Sequence, residues 1–140
     1  MPYNGEVVLG ARILIVDDDA DIRDGLSELL SDEGFDVATA SNGQAAMDWL
    51  RDHRPKSCII LLDLMMPVMD GRTFLRAKQS DPDLSTLPVV IITAGPREID
   101  ETADVRGCIT KPIDLPILFS ALAACSIADV PGETPVQLLG

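Results

Sequence analysis

The sequence predicts an α/β domain built on a parallel sheet with helices on both faces, and three observations carry that prediction. Short β-branched runs alternate with stretches of helical periodicity, as repeated strand-helix units require. The runs are apolar at nearly every residue, the pattern of strands covered on both sides. The chain's 140 residues hold one ordinary domain and leave no room for a second. In such sheets the crossovers are right-handed, and binding crevices form beyond the C-terminal ends of the strands.

Each element has its own signal. Ala11 to Val16 (ARILIV) reads as the first strand, stopped at Asp17. From Asp21 a helix follows, with Ile22, Leu26, Leu29 and Leu30 on one stripe and Gly34 suited to its C-terminal cap. Phe35 to Ala40 is a weaker strand, and Ser41-Asn42-Gly43 turns the chain into a second helix. That helix runs to about His53, buries Ala46, Trp49 and Leu50, and ends before Pro55. Cys58 to Leu62 (CIILL) is the strongest strand, stopped by Asp63. After the loop LMMPVMDG, Asp70 caps a third helix carrying Phe74 and Leu75, which Asp81-Pro82 terminates. Leu87 to Thr93 and Gly107 to Thr110 are the fourth and fifth strands. The last helix covers Asp114 to about Cys125, with Leu115, Leu118, Ala121, Leu122 and Cys125 on one stripe. The organisation read from this is an N-terminal extension (1–10), a domain (11–125) and a mobile C-terminal tail (126–140) holding two prolines and two glycines.

Charge narrows the functions. Acidic residues number 23 against 11 basic ones, a net charge of −12 that disfavours direct contact with nucleic acid or anionic membranes. Cys58, Cys108 and Cys125 lie far apart without CxxC spacing, as reduced thiols do, and neither a signal peptide nor a membrane span is evident. A cytoplasmic location is expected.

The chemistry sits at strand ends. Asp17, Asp18 and Asp19 follow the first strand and Asp63 follows the third, so adjacent placement of those strands would gather three or more carboxylates on one rim. Like charges at that spacing are relieved by protonation or by a divalent cation, and carboxylate oxygens with water are the ligands Mg²⁺ prefers. The plainer reading of three successive aspartates is a solvated helix start that favours the dipole. Thr93 ends the fourth strand and Lys111 the fifth, adding a hydroxyl donor and a cation to the same rim. Separately, these are an ordinary β-former and a solvated lysine. Together they suit phosphoryl transfer to an aspartate, in which the carboxylate attacks phosphorus while hydroxyl and ammonium groups receive its oxygens.

Across about residues 11–125 the chain resembles the receiver domains of two-component response regulators. The segments ILIVDDD (13–19), DLMMPVMDG (63–71), VVIITA (89–94) and TKP (110–112) stand in the order of that family, with Asp17, Asp63, Thr93 and Lys111 spaced by 46, 30 and 18 residues. The resemblance implies a doubly wound, flavodoxin-like, five-stranded parallel sheet in the order 2-1-3-4-5. It implies that Asp63 accepts a phosphoryl group from a sensor histidine kinase or phosphotransfer protein. Asp17, Asp18, Asp63 and the backbone carbonyl of Met65 would hold Mg²⁺, with Thr93 the switch hydroxyl and Lys111 the phosphate-pairing cation. Asp19 and Asp21 fall outside the motif and read as helix-start acids. Pro112 resembles the family's cis-proline, Pro67 and Gly71 shape the loop after Asp63, and Ala94 keeps space beside the phosphate. A face formed by the fourth helix, fifth strand and last helix would regulate a downstream protein, in a monomer or weak homodimer. With no effector sequence after the last helix, a stand-alone receiver is expected.

The chain also departs from the family pattern. Cys108, three residues before Lys111, occupies the place of the usual aromatic switch residue and is read as a packing residue. The Thr93–Lys111 interval is about one helical turn short, so a brief or loosely held fourth helix is expected there. Met65 and Gly95 flank the expected path of water and give no polar group to orient it, so no assisted hydrolysis is expected from them. Two other readings stay open. A haloacid-dehalogenase-like phosphohydrolase would use Asp17-Asp18-Asp19 as its DxD, although Asp21 stands where that family has threonine or valine. An interaction domain could keep the site and signal without phosphate.

Overall fold

The structure, a computed structural model, describes residues 12–64, 69–94 and 105–128. The chain runs β1 (Arg12–Val16), α1 (Ala20–Asp32), β2 (Asp36–Ala40), α2 (Gly43–His53), β3 (Cys58–Asp63), α3 (Gly71–Gln79), β4 (Val89–Thr93), β5 (Val105–Thr110) and α4 (Leu115–Ala128). The strands form one parallel sheet, as the alternating pattern predicts, in the order β2-β1-β3-β4-β5 that the resemblance implies. None of the described helices is long and apolar enough to cross a membrane.

Strand pleating divides the core in two. Leu14, Val16, Ile60, Leu62, Val89 and Ile91 pack with Met47 and Leu50 of α2 and Phe74 and Leu75 of α3. Their chain neighbours Ile13, Ile15, Ile59, Leu61, Val90 and Ile92 turn to the opposite face, against Leu26 and Leu30 of α1 and Leu118, Leu122 and Cys125 of α4. Alternate residues thus serve opposite faces, and both faces are covered, which is why the runs are apolar throughout.

Helix ends follow local chemistry. Asp19 caps α1 by accepting from the backbone N–H groups of Asp21 (2.9 Å) and Ile22 (3.3 Å). At the other end Gly34 takes φ 99°, its N–H reaches the Ser31 carbonyl, and the Phe35 N–H reaches that of Leu30. This pair of bonds terminates the helix with Phe35 and Leu30 both in the core. Phe35 therefore belongs to the helix stop, and β2 begins one residue later than the sequence suggests. Asn42 caps the start of α2, and Arg54, in the left-handed region, caps its end just before Pro55.

Other boundaries also differ. Pro88 has no N–H for a ladder, so β4 begins at Val89, although Leu87 is buried. The fifth strand starts at Val105, two residues earlier than expected, with a register shift at the sheet edge where Val89 pairs Val105 and Val90 pairs Gly107. α4 continues through Ser126–Ala128, residues assigned by sequence to the tail, because nothing there breaks a helix before Pro131. Trp49 is only half-buried: Gly43, Ala46, Met47 and Leu50 face inward, while its ring stacks on His53 with centroids 4.3 Å apart. Leu115 is 39% exposed, outside the buried stripe of its helix. Lys78 is the buried residue that composition disguised. It follows Phe74 by one helical turn, and its ammonium donates to the Ser85 carbonyl at 2.8 Å. The N-terminal extension 1–10, the expected fourth helix within 95–104 and the tail from 129 lie outside the described residues.

Candidate functional site

Register builds the site. β1 and β3 pair Arg12 with Cys58 through Val16 with Leu62, so continuing one rung places Asp17 beside Asp63. β3 and β4 pair Asp63 with Ile92, which sets Thr93 one rung further along. β4 and β5 pair Thr93 with Thr110, after which the Lys111 N–H donates to the Thr93 carbonyl at 2.8 Å. Three parallel ladders in these registers thus carry Asp17, Asp63, Thr93 and Lys111 to one rim.

Asp17, Asp63 and Thr93 are buried, at 2%, 4% and 2% exposure, while Asp18 is exposed on the rim. Asp17, Asp18 and Asp63 each offer a carboxylate oxygen within 4.8 Å of the others. Lys111 reaches between two of them, its Nζ 3.4 Å from Asp17 Oδ2 and 3.5 Å from Asp63 Oδ2. Among the described residues one cation thus bridges two of three converging carboxylates, a surplus of negative charge at a partly buried rim. Hard oxygen donors carrying such a surplus fit a small divalent cation. The three side chains are thus donors of the kind that fit Mg²⁺; Met65, whose carbonyl was expected to contribute, lies outside the described residues, as do Pro67 and Gly95.

The surroundings fix these groups. The Asp17 N–H donates to the Ala40 carbonyl at 3.2 Å, and its Oδ1 accepts from the Asp19 N–H at 2.9 Å. Sequence reasoning missed Arg23, whose Nη1 donates to the Asp17 carbonyl at 2.7 Å. The available signal was a lone basic residue in the otherwise acidic α1. Behind Asp63, Gly71 allows a close approach: a Cβ there would stand 2.7 Å from Leu64 Cα and 3.2 Å from the Asp63 carbonyl. Asp70, the α3 cap, accepts from the Thr73 N–H at 2.9 Å, and that bond, with a smaller contribution from Arg72, holds its carboxyl below the usual range. The Lys111-Pro112 bond is cis. Ala94 is exposed at the end of β4, and Cys108 is half-buried against the α2–α3 side of the core.

The family model for the response regulator receiver domain matches residues 13–123. An uncharacterised 14.6 kDa protein of Leptolyngbya boryana is 40% identical over 106 residues, covering 73% of this chain and 79% of that protein. Response regulator PleD of Caulobacter vibrioides is 41% identical over 117 residues, covering 80% of this chain, which spans only 25% of PleD. Among solved structures, a CheY-like response regulator receiver domain protein from Methanospirillum hungatei superposes with a TM-score of 0.72 at 32% identity, covering 84% of this chain and 95% of that one.

Proposed function

This chain belongs to the response-regulator receiver-domain family, a family of signalling domains, and from that premise we propose that it is a phosphoacceptor switch charged on Asp63 by the phosphohistidine of a sensor kinase or phosphotransfer protein. The observation that carries the proposal is the gathering of Asp17, Asp18, Asp63 and Lys111 from separate strand ends at one partly buried rim.

Asp63 is the proposed nucleophile because it is the carboxylate at the centre of the rim, buried yet within reach of Lys111. Its oxygen forms a bond to phosphorus as the donor's P–N bond breaks, and the departing imidazole nitrogen takes a proton. Asp17, Asp18, Asp63 and the Met65 carbonyl are the proposed holders of Mg²⁺. When bound, Mg²⁺ supplies the positive charge that lets an anionic carboxylate approach an anionic phosphoryl group. Lys111, already paired with Asp63, turns to a phosphoryl oxygen, and the Thr93 hydroxyl donates to another. Because the Lys111 N–H is bonded to the Thr93 carbonyl, movement at either residue is passed to β5. The proposed output face comprises β5, α4 and the segment before β5. Half-buried Cys108 gives that face a small thiol in place of a swinging aromatic ring, so transmission relies on backbone displacement at Thr93 and Lys111. The reading places the protein in the cytoplasm with protein partners, since a net charge of −12 opposes contact with phosphate backbones.

The deciding experiment incubates wild type and Asp63→Asn with Mg²⁺ and acetyl phosphate and measures intact mass. One phosphoryl increment in wild type alone is expected. Labelling of both proteins, or of neither, would overturn the proposal. Hydrolysis of a phosphate ester lost in Asp17→Asn but kept in Asp63→Asn would point to a phosphohydrolase.

A further inference from the structure

Resting on the phosphoacceptor reading above, we infer that Arg23 is a positioning residue of the acidic site: by gripping the backbone carbonyl of Asp17 it aims Asp17 and Asp18 at Asp63. The β1 ladder ends at Val16, which pairs with Ala40 on one side and Leu62 on the other. The carbonyl of Asp17 has left that ladder on a residue only 2% exposed, and a buried carbonyl without a partner is costly. Arg23 supplies the partner at 2.7 Å, a charge-assisted bond from the first turn of α1. The neighbouring acids Asp21 and Asp24 would make ordinary surface partners for this guanidinium, which instead bonds inward toward the strand end.

All four polar groups of Asp17 are thereby engaged: its N–H by Ala40, its carbonyl by Arg23, Oδ1 by the Asp19 N–H and Oδ2 by Lys111. Asp18 is different. Among the described residues its exposed carboxylate has no hydrogen bond, so its aim depends on the backbone to either side. Asp19 is fixed as the α1 cap, and Arg23 fixes Asp17. The guanidinium therefore acts on the metal-binding set without touching the metal, as outer-shell partners do elsewhere.

Two roles for Arg23 predict opposite signs. A cation acting only through its field would oppose Mg²⁺, and removing it would tighten binding. A cation acting through the carbonyl grip would, on removal, loosen the loop and weaken binding. The test measures Mg²⁺ affinity by titration calorimetry in wild type, Arg23→Met and Arg23→Lys, without any phosphodonor. Arg23→Met is expected to weaken Mg²⁺ binding about tenfold, and Arg23→Lys, which keeps a charged donor, to recover most of the loss. Phosphorylation by acetyl phosphate should then need more Mg²⁺ in Arg23→Met yet reach a near wild-type rate at saturation. Should Arg23→Met not fold, Arg23→Gln, too short to span the gap, serves with the same expectation. Unchanged or tighter Mg²⁺ binding in the neutral variant, or none in wild type, would overturn the inference. Wild type that binds Mg²⁺ but takes no phosphoryl group would sink the phosphoacceptor reading and leave the affinities to judge Arg23.

Discussion

Asp63→Asn should stabilise the metal-free protein while abolishing its proposed function. Among the described residues, Asp63 faces carboxylates of Asp17 and Asp18 within 4.8 Å and one ammonium at 3.5 Å. At an effective dielectric constant of about 20, each carboxylate pair repels by at least about 3.5 kcal/mol and the lysine attracts by about 4.7 kcal/mol. Asp63 therefore sits in a net repulsive field of about 2 kcal/mol, which solvent at exposed Asp18 and partly exposed Lys111 reduces to about 1 kcal/mol. Asparagine keeps the shape and one acceptor oxygen but sheds the charge, while Lys111 stays with Asp17. Urea denaturation at low ionic strength in EDTA should show the variant more stable by about 1 kcal/mol, or about 4 °C in thermal midpoint. Millimolar Mg²⁺ should raise wild type more than the variant and narrow or reverse the gap. A variant less stable than wild type in EDTA, or one that gains equally from Mg²⁺, would refute the reasoning that a charge surplus at this rim is what a cation relieves.

Three other outcomes are expected. Gly71→Ala would drive a Cβ to 2.7 Å from the Leu64 backbone, costing about 1–3 kcal/mol in urea denaturation and slowing phosphorylation because the displaced chain carries Asp63. Asp70→Ala should lose the α3 cap and about 1 kcal/mol. Since the folded-state pKa of Asp70 is depressed, that contribution is complete above pH about 4 and fades as pH falls through the folded value, so the two proteins should converge in denaturation midpoint in acid. Cys108→Ala should cost about 1 kcal/mol or less for a half-buried packing atom and leave the phosphorylated fraction by mass unchanged; a severe loss of labelling would give the thiol a part in the switch.

The sheet was legible because burial on both faces makes a run such as CIILL apolar throughout, and the candidate site because each of its polar residues closes or follows such a run, at the end where a parallel sheet forms its crevice. Caps were legible where Asp19, Asn42 and Asp70 carry their acceptor in the side chain. The errors lie where two contacts compete for one residue. Phe35 could extend β2 or lock the end of α1, and the glycine before it decided for the helix. Trp49 had the right spacing for burial, but Met47 filled the inward position and left the ring to His53. Lys78 was unreadable by composition because its methylenes, and not its charge, satisfy the core, and the acceptor of its ammonium is a backbone carbonyl in the following turn. Arg23 was missed for a similar reason, since its partner is again a carbonyl, which no side-chain pattern announces.

The bridge from Lys111 to Asp17 spans 94 residues and joins the final strand to the first. Contacts of such long sequence separation are late to form, because the intervening chain must already be ordered before they repay the entropy of closure. A partly folded chain in which β5 has not yet joined the sheet would hold the aspartates without the ammonium that bridges two of them. The cation is thereby the last member of the cluster to arrive, so the crowding of negative charge at the rim is greatest before the sheet is complete.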